Sequence, residues 1–173
     1  MLFFDVKPVA IKAYGGRRYS KKRLVLSRAQ KTHGLIYLFV AYEHNSGRRL
    51  WGFYPGKSSG YVCRCLKKIR SRYGRRKLRL AVDRDSPHPI KCARTRQRLR
   101  ALGIRWTSLP KGNPDDNPVE TIFSDVQQMV LDTSYDTDPA VTQRRISGHL
   151  QGRNRRPNRR IRVPYLEIPP KHR

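Results

Sequence analysis

Residues 109–123 read LPKGNPDDNPVETIF, a stretch that puts Asp115, Asp116 and Glu120 within six positions of a chain holding 12 acidic residues against 39 Lys and Arg. Asn117 precedes Pro118 and stands three residues before Glu120, which is the N-cap, N1 and N3 spacing of a helix start. Val119, Ile122, Phe123, Val126 and Val130 follow as one apolar stripe at helical spacing. The stretch predicts a helix that opens at Pro118, docks by that stripe and carries Glu120 in its first turn.

Working back toward the N-terminus, Ile104 to Leu109 (IRWTSL) reads as a strand, and Ile90 to Leu102 as an Arg-rich helical segment ended by Gly103. Leu78 to Asp83 (LRLAVD) alternates as a strand does. From Ser59, the residues Val62, Cys65, Leu66, Ile69 and Tyr73 share one helical face, Arg64, Lys67, Lys68 and Arg72 lie elsewhere, and Gly74 is placed as a C-cap. Arg49 to Tyr54 alternates in polarity, the turn signal Asn45-Ser46-Gly47 precedes it, and Leu35 to Tyr42 is rich in β-branched and aromatic residues. Before these come RLVL (23–26), a break at Gly15-Gly16, and the short strand-like run Leu2 to Val6 (LFFDV), closed by Pro8.

The expected order is three antiparallel strands, helix, strand, helix, strand, helix: an α/β fold with a mixed five-stranded sheet flanked by helices. Residues 1–137 form the main domain in this reading. Residues 138–173 form a basic C-terminal appendage, with a short helix from Pro139 to Leu150 and then RNRRPNRRIR (153–162), broken by Pro and Asn and not expected to pack. There are no internal repeats.

A chain of 173 residues with 37% hydrophobic content has the size and core of one compact domain, and its formal net charge of +27 calls for a polyanionic partner. Nucleic acid fits; a membrane does not, because no apolar run approaches the length of a span. Three cysteines, Cys63, Cys65 and Cys92, are an odd number, and Cys63-Arg64-Cys65 is too tight for a zinc knuckle. The five scattered histidines lack ligand spacing. The N-terminus, MLFFDVKP, lacks the features of a signal peptide, so the expected location is a reduced intracellular compartment, cytoplasm or nucleoid in a prokaryote.

In this order Asp5 lies in the first strand, Asp83 at the end of the fourth, and Glu120 in the first turn of the helix after the fifth strand. The first and fourth strands can be central neighbours, with that helix facing their ends, so three carboxylates distant in sequence would meet. Gathered carboxylates need a cation, and hard divalent ions such as Mg²⁺ take oxygen ligands from a few carboxylates and from substrate phosphates. Two such ions about 4 Å apart support in-line displacement at a phosphodiester.

These residues resemble the catalytic domain of DDE-superfamily transposases of the mariner-like insertion-sequence type. FFDVKP matches the family's first Asp. AVDRDSPH is similar to "LDNxxxH", with Asp83 for the Asp and His88 for the His. LPKGNPDDNPVE is similar to "LPxxSPxLNPIE", with Pro110, Pro114, Asn117, Pro118 and Glu120 in register. The match covers roughly Leu2 to Leu131, and the 37 positions from Asp83 to Glu120 are close to the family's spacing. It implies an RNase H-like fold, metal-dependent DNA cleavage and strand transfer, two Mg²⁺ (or Mn²⁺) ions on Asp5, Asp83 and Glu120, transposon-end and target DNA as partners, and a homo-oligomer on DNA. Arg84, Phe123 and Gln127 or Gln128 depart from the family's Asn, Trp and Lys. The chain opens on the first catalytic strand, so helix-turn-helix domains that bind terminal repeats are expected from an upstream reading frame, unless the chain is a fragment or a degenerate copy.

Each residue also has a plainer reading. Glu120 completes a capping box, Asp85 is the alternative ligand to Asp83, and Asp115 and Asp116 suit a turn. His88 suits a supporting role, and Tyr37, Phe39, Tyr42 and Trp106 suit the core, with base stacking the alternative for Trp106. Arg153, Arg155, Arg156, Arg159, Arg160 and Arg162 read as a solvated tail that meets phosphates without reading bases. The rival class is a ribosomal-protein-like RNA binder without enzymatic activity, whose carboxylates would bear no relation to strand and helix ends. A decayed or accessory RNase H-like nuclease is the third reading.

Overall fold

The computed structural model describes residues 1–12, 32–83, 92–109, 117–155 and 161. Its strands are β1 (Leu2–Ile11), β2 (Gly34–Glu43), β3 (Arg49–Tyr54), β4 (Leu78–Val82) and β5 (Ile104–Ser108). They form one sheet in the order β3-β2-β1-β4-β5. β2 is antiparallel to both β1 and β3, while β4 runs parallel to β1 and β5 parallel to β4. The mixed sheet expected from the sequence is the one that forms, with β1 and β4 as neighbours at its centre.

Strand alternation divides the core into two layers. Leu2 and Phe4 of β1, with Leu80 and Val82 of β4, face α1 (Ser59–Tyr73) and α2 (Ala93–Ala101), whose Val62, Cys65, Leu66, Ile69 and Leu99 fill that side. Phe3, Val9, Ile11, Leu38, Val40 and Ala81 face α3 (Pro118–Val126) and α4 (Pro139–Asn154) on the other. α1 ends as its sequence predicts: Gly74 takes φ 56 and its N–H donates to the Arg70 carbonyl.

Pro8 does not close the first strand. β1 runs through it to Ile11, with Pro8 opposite Tyr37 of β2. Among the described residues β1 pairs with β4 only from Leu2 to Phe4, so Pro8 lies where one side of the strand has no ladder and a missing N–H costs least. Trp106 is not core either; it is 37% exposed. It sits on β5, the sheet's edge, and α2 covers Ile104 but not the residue two positions on. Gly15-Gly16, RLVL, Arg84, Asp85, His88, Asp115 and Asp116 lie outside the described residues.

α3 continues into a π-helical turn, Gln127–Leu131, whose wider winding brings the adjacent Val130 and Leu131 both into the core, 4% and 2% exposed. α4 starts at its N-cap Asp138, which accepts from the Ala140 N–H at 2.8 Å, and runs four residues past Leu150 to Asn154. Thr142, Ile146 and Leu150, spaced by four, turn one face inward. Trp51 Nε1 donates to Ser147 Oγ at 3.0 Å, and Asn154 both accepts from the Arg49 N–H and donates to its carbonyl at 2.8 Å. Arg153 and Asn154, expected in a loose tail, are thus in a packed helix, because Asn154 satisfies backbone groups at the start of β3. Ile161 also packs on the core, its N–H donating to the Tyr42 hydroxyl at 2.9 Å.

Asp125 on α3 is tied to α4 by His149 Nε2 at 2.7 Å and by Arg153 through Nε at 2.9 Å and Nη2. Burial would raise its pKa, but the hydrogen bonds from Arg153 and His149 and their charges hold it below the usual carboxylate range. A depressed carboxylate contributes stability that is present above its unfolded pKa and lost as pH falls through the folded one. Asp125→Asn is therefore expected to cost about 1 kcal/mol at pH 7, allowing for partial exposure, with the difference from wild type fading below about pH 4. Denaturant melts across pH check this. No helix among the described residues is long and apolar enough to cross a membrane.

Candidate active site

β1 and β4 run parallel with Phe4 opposite Val82, so Asp5 and Asp83, each next in line, come level where β4 ends. Alternation puts Asp5 on the face of Phe3 and Val9 and Asp83 on that of Ala81, which is the face covered by α3. Asp5 is 6% exposed, and its Oδ1 accepts from the Val6 N–H at 2.7 Å. An acid among Phe3, Phe4 and Val6 is costly to bury without partners.

Glu120 reaches this point from α3. The Asn117 side chain accepts from the Val119 N–H at 3.2 Å and its carbonyl from the Glu120 N–H at 3.0 Å, while Pro118 supplies the first helical position. This end is fixed by Val119, Ile122 and Phe123, all nearly fully buried. The Glu120 carboxyl is hydrogen-bonded to Asp5, and its pKa is raised by burial, by that hydrogen bond and by the charges of Asp5 and Asp83, with Lys7 pulling the other way. The Lys7 ammonium also lies 5.6 Å from the centroid of the Phe123 ring. Three acids from the first strand, the end of the fourth and the start of α3 share one electrostatic site.

Among the described residues, no group of three or more His, Cys, Asp or Glu side chains is arranged to hold a metal ion. Glu120 and Asp5 are joined to each other instead, which requires a proton between two carboxyls. The donor chemistry nonetheless fits a hard divalent cation: three carboxylates, no thiol or imidazole, and a repulsion on Glu120 that a cation relieves. A raised carboxylate pKa favours folding below the unfolded value, and this contribution is lost as pH rises through the folded one. Glu120→Gln is therefore expected to raise the chelator-treated protein's Tm at pH 7.5 by about 1–3 °C, and to blunt the rise that Mg²⁺ or Mn²⁺ gives the wild type. A lower Tm in chelator would contradict it; differential scanning fluorimetry reads both.

The six arginines expected to meet phosphate are not one tail. Arg153 is on α4 in its ion pair with Asp125, Arg155 is exposed at that helix's C-cap, and Arg156, Arg159, Arg160 and Arg162 lie outside the described residues. Asp125 itself was not singled out from the sequence. The spacing of His149 and Arg153, four apart on one helix, was its available signal.

A mixed sheet in this order, with helices on both faces and acids at the ends of its central strands, is an RNase H-like fold of the integrase and transposase kind. Residues 1–142 match the family model of the DDE superfamily endonucleases, and the chain belongs to that family. Among solved structures it is similar to Mos1 transposase in a paired-end complex with the left transposon end, with a TM-score of 0.65 and 11% identity over 87% of this chain and 47% of that one. It is also similar to the intasome of simian T-cell lymphotropic virus in complex with PP2A regulatory subunit B56 gamma, with a TM-score of 0.62 and 14% identity over 99% of this chain. That match covers 57% of the intasome chain, so this chain spans about half the length of the solved chains it matches. No curated protein sequence matches it significantly.

Proposed function

We propose that this chain is the catalytic domain of an insertion-sequence transposase, which cleaves DNA at the element's ends and transfers the freed strands to target DNA. The observation that carries the reading is the coupling of Glu120 to Asp5 and Asp83 in a family of endonucleases. In it Asp5, Asp83 and Glu120 hold two Mg²⁺ or Mn²⁺ ions, which when bound activate the attacking hydroxyl and stabilise the departing oxygen. Water attacks a phosphodiester at the element's end, and the released 3′-hydroxyl then attacks the target strand.

The chain's own residues supply position and charge. The Val6 N–H fixes one oxygen of Asp5, the Asn117 cap fixes the height of Glu120, and Lys7 is the cation beside them suited to a phosphate oxygen. The proposed partners are transposon-end and target DNA, a helix-turn-helix part encoded upstream, and further copies of the chain, since two ends must be held together. The proposed domain division is 1–137 and 138–173, and the proposed setting is the cytoplasm or nucleoid.

The test is nicking of supercoiled plasmid by the purified chain in Mg²⁺ or Mn²⁺, alone and with any helix-turn-helix frame encoded just upstream. Nicking that a chelator stops is the expected result. No nicking in either arm, with tight RNA binding instead, would sink the enzymatic reading.

A further inference from the structure

At the end of the sheet away from Asp83, a cleft of about 850 Å³ opens between the β2–β3 turn, the C-terminus of α1 and the C-terminus of α4. Its wall carries Arg48, Arg72, Arg76 and Arg155, all exposed, and among the described residues none of the four is in an ion pair. One carboxylate lines it, Glu43, and that group accepts hydrogen bonds from the Ser46 and Tyr73 hydroxyls. Arg48 and Arg72 both act electrostatically on the Tyr73 phenol, so their charges converge on one point of the cleft.

A second recess, of about 390 Å³, adjoins it. Arg70 ties the two together, donating to the carbonyls of Gly74 and Arg76 on one side and of Gly103 on the other. In this recess Arg79 of β4 stands directly opposite Arg105 of β5, both exposed. Like charges across a strand pair destabilise the sheet unless an anion lies between them. Two helix C-termini also point their negative ends here, so the arginines partly offset a helix field, yet their number exceeds that need.

We propose that this basic end is a seat for the sugar–phosphate backbone of duplex DNA, separate from the carboxylate site. Arg79 is four residues below Asp83 on β4, roughly 13 Å at strand rise, so the two sites occupy opposite ends of the same strands. Arginine forks suit phosphate oxygens, and nothing in the cleft reads bases. The assignment rests on the nuclease reading only for the choice of DNA as the polyanion.

The test uses the full chain in chelator, where cleavage plays no part. Binding of a 30-base-pair duplex is followed by fluorescence anisotropy from low to moderate salt for wild type, for Arg48→Gln/Arg72→Gln/Arg76→Gln, and for Arg64→Gln/Lys67→Gln/Lys68→Gln, which removes equal charge from the outer face of α1. The cleft triple is expected to weaken binding about tenfold or more and to lower the salt slope by about 3, with the control triple much closer to wild type. Equal losses in the two triples, or none in the cleft triple, would overturn the proposal. A mutation-free arm is phenylglyoxal modification read by mass spectrometry: bound duplex should protect Arg72 and Arg76, and labelling undiminished by DNA would overturn it too. Tighter binding of duplex RNA than of DNA would overturn the choice of polyanion. Absence of nicking with these results intact would count against the nuclease reading alone.

Discussion

Asp83→Asn is expected to cut metal-dependent nicking of supercoiled DNA by roughly 10³-fold or more, since divalent ions supply several kcal/mol to such a step and each 1.36 kcal/mol is tenfold in rate. The substitution keeps the shape at the end of β4 and removes one of three negative charges. Asp83 lies one residue beyond the ladder that sets Phe4 against Val82, so its loss leaves the β1–β4 pairing intact. Asp85→Asn is the matched control. Activity lost in Asp85→Asn and kept in Asp83→Asn would reassign the second ligand. The gel should be read beside a melting curve, because removing a repelled carboxylate is not expected to lower stability in chelator.

The largest expected effect on stability lies in α4. Ile146→Ala should cost about 2–5 kcal/mol and lower Tm by roughly 5–15 °C, because Ile146 is fully buried among Val130, Leu131 and the inward face of β2 and no solvent can fill the space it leaves. Arg144→Ala, an exposed change on the same helix, should stay within about 0.5 kcal/mol. If α4 were a loosely attached appendage, the two changes would have similar small effects. Chemical denaturation of both variants separates these outcomes.

The site was more legible in the sequence than its surroundings. The motif around Glu120 combines a cap, a proline and an apolar stripe, all local signals, and each behaves as its chemistry dictates. Asp83 was marked by the apolar run that ends at Val82. Asp5 had weak local evidence, and only the parallel β1–β4 register makes it level with Asp83. The C-terminal portion was harder to read because α4 carries just three inward residues between arginines, and what holds it is tertiary: Asp125 with His149 and Arg153, and Asn154 with the backbone of Arg49. Pro8 misled for a similar reason. A proline is a breaker only where both strand edges are paired, and edge status is a property of the sheet.

The π-helical turn at Gln127–Leu131 has a consequence for how this chain can vary. It holds one residue more than α-winding requires, so removing any one residue there would restore an ordinary helix and turn everything after it by about 100°. No hydrophobic residue would need to be lost, yet Leu131 would rotate off the core and Asp138 would no longer present the cap from which α4 begins. At this joint the fold is more tolerant of a changed side chain than of a changed count: a conservative substitution preserves helical phase, and a single-codon deletion destroys it.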